Sequence, residues 1–366
     1  NAGTSSTSPK QTLLGFDIAA LPAGAHVLFA RGGAWSNVNI SVLNLNATPT
    51  APVVFDSYAT SWGGATKPLL MTSAANGVSF GNYGDTVQDG GYTFRNLKFD
   101  GQGTATWGFF LMGATRNVLI ENNEITGFEI GTHFQNMASG NEALTIRGNY
   151  IHHNREMGML GDANNMVIEG NTIEANNYSG SGFNHGLYLG GHATNGIVRN
   201  NRFINNSAVN GVCTGGNLTV HGQWTGLLIE GNIITQDAST NGCWGISLTD
   251  GYPSVEFFRN VTIRANEIVN VELGIAARAA PDVLIEANVI RSNQPRLPSG
   301  IVIAQPNGSE DDDSTGARLV DNVVCFDAPN PGREQAVRLN NTRSTETGTV
   351  YRTGASANTG PCSTVK

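Results

Sequence analysis

An asparagine that returns every 22 to 34 residues in a repeating hydrophobic frame constrains this chain more than any other feature. It recurs at Asn96, Asn123, Asn149, Asn171, Asn201, Asn232, Asn266, Asn288 and Asn322, usually with an aliphatic residue three before it and an apolar one two after it. The phrase is plainest from Leu144 to Asn201: Ile146-Arg147-Gly148-Asn149-Tyr150-Ile151, Ile168-Glu169-Gly170-Asn171-Thr172-Ile173, and Val198-Arg199-Asn200-Asn201-Arg202-Phe203. That interval suits stacked coils, not a heptad or a hairpin series. One buried Asn per coil accounts for it. Asn tolerates left-handed backbone at a sharp turn, and its amide can bond the same amide one coil above.

A second column follows each Asn: Gly77-Val78, Gly108-Phe109, Glu129-Ile130, Gly158-Met159, Gly186-Leu187, Gly211-Val212, Gly245-Ile246, Gly274-Ile275, Gly300-Ile301 and Ala336-Val337. Each opens a short strand, with the glycine keeping a side chain off the turn into it. With the apolar residue inward, residues one and three later face outward. The outward set is chemically rich only in its middle: His133, Asp162, Tyr188, Cys213, Ser247 and Thr249, and Arg278. Coils stack about 4.8 Å apart, so His133, Asp162 and Tyr188 span about two coil steps, one or two sugar units.

Composition agrees with a turn-rich all-β chain: 46 glycines in 366 residues and only 14% charged residues. The net charge of -8, without clustered Lys and Arg, argues against nucleic acid as a partner. No apolar run is long enough to span a membrane. Asn1 and the Ser/Thr-rich lead-in to Lys10 suggest either a processed chain whose export signal has been removed or a trimmed one. Four cysteines allow three pairings; Cys213 with Cys243 would join neighbouring coils, and Cys325 with Cys362 would tie down the tail.

The apolar spacing of residues 11–21 (Leu13, Leu14, Phe16, Ile18, Leu21) predicts a short amphipathic helix that caps the open end of the solenoid. Residues 342–366 read as a C-terminal cap or loose tail, so that 1–366 forms one domain of roughly ten coils, and a monomer is favoured. The series from Pro22 to Trp35, then Pro52 to Tyr58 and Lys67 to Leu70, resembles the opening coils of secreted right-handed parallel β-helix proteins that act on polysaccharides. In that family an acidic residue usually follows the glycine, where this chain has Ala25. The resemblance implies an all-β right-handed parallel β-helix whose strand stack forms a carbohydrate groove, a secreted or periplasmic location and a polysaccharide partner. It does not fix the reaction.

Three functions fit these residues. The favoured one is a lyase that cleaves a uronate polymer by β-elimination, because the paired Asp residues and Gly-His-Gly of polygalacturonase-like hydrolases and the Asp-Pro-His of the epimerases are absent. Tyr188 or His185 would be the base, with burial and a neighbouring cation lowering the tyrosine's pKa; His133 and Asp162 complete the catalytic set. Arg278, His133 or Asn184 would hold the carboxylate, with Arg155, His192, Trp224 and Trp244 as further substrate contacts. No cofactor is indicated, and the acidic run Glu310 to Asp313 reads as a solvated loop tip because it lacks the spacing of a calcium loop. A hydrolase would pair Asp162 with Glu156, Glu129 or Asp250. A glycan-binding β-helix without catalysis would use Trp107, Trp224, Trp244 and Tyr252 as stacking platforms.

Overall fold

The computed structural model describes residues 3–80, 89–112, 114–135, 140–180, 183–294, 298–328, 332–340, 342–360 and 362. One coil shows the plan. Thr145–Arg147 lies on a first sheet, Gly148 and Asn149 turn the chain, Tyr150–His152 lies on a second sheet, and Met157–Gly161 lies on a third before the chain returns at Val167–Glu169. Successive coils pair in parallel without slippage, Ile146 beside Ile168, Ile151 beside Ile173 and Met159 beside Leu187. Among the described residues the three sheets hold 12, 12 and 11 strands. The fold is therefore a parallel β-helix with more than the ten or so coils expected, because the segments from His26 onward and Thr345–Thr347 with Val350–Thr353 all join the sheets. Residues 345–353 are thus a final partial coil rather than a loose tail.

Side-chain alternation fills the interior with aliphatic stacks. Ile146, Ile168, Val198, Ile229, Ile263 and Ile285 form one column and Ile151, Ile173, Phe203, Ile234, Ile268 and Ile290 another, all essentially without solvent exposure. Outside the first sheet, Glu121, Arg147, Glu169, Arg199, Glu230, Arg264 and Glu286 stand in register with alternating charge. Each such surface pair is weak, but a one-coil slip would set like charges side by side.

The asparagine ladder runs through Asn123, Asn149, Asn171, Asn201, Asn232, Asn266, Asn288 and Asn322. Each Oδ1 accepts the backbone N–H of the residue one coil before, and from Asn149 onward also that coil's Nδ2. Two expectations are corrected. The left-handed residue is the one before the ladder Asn (Gly148, Gly170, Asn200 and Gly231, with φ from 55° to 64°), because the ladder residue must aim its amide inward. Asn96 is itself such a left-handed residue, and Leu97 occupies its coil's ladder position, donating its N–H to Asn123. A second buried ladder, not anticipated, passes through Asn154, Asn176 and Asn206 at the next corner. The glycine column is explained by the next coil's backbone: a Cβ on Gly158 would stand 2.5 Å from the Gly186 carbonyl and one on Gly274 2.6 Å from the Gly300 carbonyl, so the clash is with the neighbouring coil, not on the outer face.

The predicted capping helix is absent. Residues 11–21 form turns, in which Asp17 accepts the N–H groups of Ala19 and Ala20, while Leu13, Ile18 and Leu21 still pack on the core. So short a segment gains little from helical hydrogen bonds alone, and the local turn contacts prevail. Both disulfides form in the expected pairing, Cys213 with Cys243 and Cys325 with Cys362. Among the described residues no helix is long and apolar enough to cross a membrane.

Candidate active site

The third sheet carries the outward column Phe110, His133, Leu160, Tyr188, Thr219, Ser247, Ala276, Val302 and Arg338. Two registers differ from those expected. Thr132, not Ile130, is the inward residue of its coil. Gly211-Val212 belongs to a hairpin closed by Ala208–Val209 and Val212–Cys213, so the sheet strand of that coil is Gly216–Val220 and Cys213 leaves the column to Thr219.

Around Tyr188 four rings stack in sequence: His185 on Tyr188 (centroids 5.1 Å apart), Tyr188 on His221 (5.5 Å) and His221 on Tyr252 (4.9 Å). The Tyr188 and Tyr252 hydroxyls share a hydrogen bond of 2.5 Å. Beside them lies a pocket of about 620 Å³, whose lining includes Trp244, Ser247, Thr249, Asp250 and Arg278. An equally large cavity beneath the N-terminal segment is walled largely by apolar groups such as Leu13, Phe16, Leu21 and Phe29. It is the gap under that cover.

His221 is the best-placed base. Its Nδ1 lies 3.2 Å from Glu256 Oε1, and Glu256, whose side chain is fully buried, also accepts the N–H groups of Gly222, Gly251 and Tyr252. A carboxylate can only accept, so Nδ1 carries the proton and Nε2 is the acceptor, its present partner being the Thr249 hydroxyl at a long 3.3 Å. The acidic loop that was expected to be solvated holds this turn in place. Asp311 accepts the Glu256 N–H, Asp312 pairs with Arg259 at 2.6 Å, and the Asn307 N–H bonds Asp250.

The residues proposed from sequence divide. Tyr188, His185, Trp244 and Arg278 meet at this pocket. Arg278 reaches it by folding back to Asp250 (3.6 Å), although its strand lies three coils from that of Tyr188. Burial first, then the bond to Tyr252 and the charge of Glu256, push the Tyr188 phenol above its ordinary 10. Tyr188 therefore keeps its proton, contrary to the expectation that burial and a neighbouring cation would lower its pKa: burial acts in the opposite direction on a phenol. His185 is buried, its Nδ1 accepting the Gly216 N–H at 2.9 Å and facing the Thr219 hydroxyl at 3.1 Å; burial pushes its pKa down to about 3. With that lone pair engaged, His185 is a neutral platform beneath Tyr188 rather than a base.

The remaining candidates lie outside the pocket. His133 packs against Trp107 and Phe110, and burial lowers its pKa to about 4. Asp162 is fully buried and accepts the His192 N–H, and His192 itself is exposed on a three-stranded side sheet. Arg155 pairs with Glu129 at 3.3 Å. Asn184 uses its backbone carbonyl to accept the Ser207 hydroxyl. Trp224 is corrected outright: as the middle residue of the central strand of that side sheet it has no exposure, its Nε1 donating to the His221 carbonyl, so it supports the site from within. His221, Thr219 and Glu256 were missed. Correct register after the Ala208–Cys213 hairpin would have placed Thr219 outward and His221 just beyond it; nothing periodic marks Glu256.

The buried histidine gives a stability signature. Its folded pKa is depressed, so its contribution is complete above the unfolded value near 6.5 and is lost as pH falls towards 3. His185→Gln is expected to flatten the fall of unfolding free energy with acid by up to about 1.4 kcal/mol per pH unit in that window, as read by denaturant titration. His133 contributes its own slope in both proteins.

Residues 76–244 match the family model of a right handed beta helix region. A lacto-N-biosidase from Eubacterium ramulus is similar with a TM-score of 0.61 at 12% identity, over 95% of this chain and 65% of that one. The mannuronan C-5 epimerase A-module of Azotobacter vinelandii gives 0.53 at 17%, over 90% and 87%. A surface adhesin of Streptococcus pneumoniae gives 0.52 at 10%, over 91% and 84%. No curated protein sequence matches. At these identities the likeness is one of fold: the chain is a right-handed parallel β-helix.

Proposed function

We propose that this chain is an exported carbohydrate-active enzyme that cleaves a uronate-containing polysaccharide by β-elimination. The carrying observation is the His221–Glu256 pair set against the Tyr188–Tyr252 hydroxyls, with Arg278 lining the same pocket. Arg278 neutralises the uronate carboxylate and so acidifies the C5 proton. His221 Nε2 removes that proton, the C5–H electron pair becomes the C4=C5 double bond, and the C4–O bond breaks. The departing oxygen takes a proton from the tyrosine pair, which burial keeps protonated. Two disulfides support export to an oxidising compartment.

The neighbours share the fold and divide among epimerase, glycosidase and adhesin, so the reaction rests on the pocket. Hydrolysis is less well supported, because Asp162 is buried against the His192 amide and Asp250 is engaged by Asn307 and Arg278. A panel of uronate and neutral polysaccharides separates the readings. Elimination is expected to give an ultraviolet-absorbing double bond with each new reducing end; reducing ends without that absorbance would replace it with hydrolysis, and neither product would leave a binding protein.

A further inference from the structure

Beyond the tyrosine pair the pocket changes character. Its upstream part presents His185, Tyr188, His221 and Tyr252, whereas downstream Trp244, Leu273, Ala276, Val302 and Ala304 form an apolar wall beside Thr249, Asp250 and Arg278. Strand register sets Ser247 beside Ala276 and Ala276 beside Val302, so this apolar stretch covers two coil steps, about 10 Å, or one to two sugar rings. Ser247 Oγ lies on its floor, fully buried and without a hydrogen-bond partner. Alanine at 276 and 304 leaves room that longer side chains would fill.

A fully hydroxylated sugar placed against that wall would give up water from several hydroxyls, and with Asp250 and Arg278 already paired to each other it would find few groups to replace it. A methyl-bearing sugar would put carbon against carbon and keep one oxygen for Ser247. We propose that this half of the pocket is a subsite for a methyl-bearing sugar residue, O-acetylated or 6-deoxy, adjacent to the residue that reacts. The inference rests on the reading of the pocket as a polysaccharide site, but not on the elimination step.

Calorimetry on full-length His221→Ala protein, which leaves ligands intact, tests it with four probes: rhamnogalacturonan and homogalacturonan oligosaccharides of equal length, each acetylated and alkali-deacetylated. Acetyl recognition is expected to make both acetylated ligands bind about tenfold tighter than their deacetylated partners; 6-deoxy recognition is expected to give that margin to deacetylated rhamnogalacturonan over deacetylated homogalacturonan. Ala276→Leu, added to the same protein, is expected to erase the margin, and Ser247→Ala to reduce it severalfold should the leucine variant fail to fold. Equal or undetectable affinity for all four ligands, or a margin untouched by both substitutions, overturns the subsite. A retained margin in a protein whose wild type forms no double bond would keep the subsite and remove the elimination mechanism.

Discussion

His221→Ala is expected to lower double-bond formation by about 10²- to 10⁴-fold on whichever uronate polymer the wild type cleaves, the usual loss when a positioned base is removed. The affinity for intact oligosaccharide is expected to change far less, since the imidazole acts on the proton in flight. Glu256→Gln gives a graded control. The amide preserves packing, but only its oxygen can accept, so its NH2 is turned against donors that converge on the carboxylate and Nδ1 no longer has a fixed acceptor. The expected result is a lower kcat with an altered pH profile and little change in KM. Full activity of His221→Ala would remove the base assignment, and with it the mechanism.

The largest expected effect on stability lies in the ladder. Asn201 Oδ1 accepts both the backbone N–H and the Nδ2 of Asn171, and its own Nδ2 donates to the Ile168 carbonyl and to Asn232 Oδ1. Asn201→Ala strands two donors of Asn171 and the Ile168 carbonyl in the fully buried interior. At roughly 1 to 3 kcal/mol per orphaned group, a loss of about 3 kcal/mol or more is expected, visible as a fall in the denaturation midpoint. The adjacent Asn200 is exposed and left-handed, so Asn200→Gly keeps the conformation and should stay within about 0.5 kcal/mol of wild type. Similar losses at both positions would mean that the turn, rather than the buried amide, carries the stability.

How far the sequence could be read follows from what repeats. The frame around Asn149, Asn171 and Asn201 is local and periodic, so it disclosed the coil, the parallel stacking and the inward ladder. Its one-residue error, which gave the left-handed turn to the ladder Asn itself, arose because both jobs favour asparagine and Asn200-Asn201 places two side by side. The outward column could be followed to Tyr188 and was lost at Gly211, where a hairpin imitates the Gly-apolar signal. That slip hid Thr219 and His221. Trp224 looked like a surface platform because a tryptophan in an insert carries no mark of the side sheet that buries it.

The sequence by itself determined the solenoid, because each coil repeats the same inward pattern of apolar residue, left-handed turn and Asn, and only stacking satisfies it. It also singled out Tyr188 as an outward departure from that pattern. The tertiary structure alone decided what Tyr188 can do. Its pKa depends on burial beside Tyr252 and Glu256, the proposed base His221 is held by a carboxylate 35 residues beyond it, and that carboxylate is held by an acidic loop 55 residues further on. These groups share no period, and only the return of successive coils to the same sheet edge brings them within hydrogen-bonding distance.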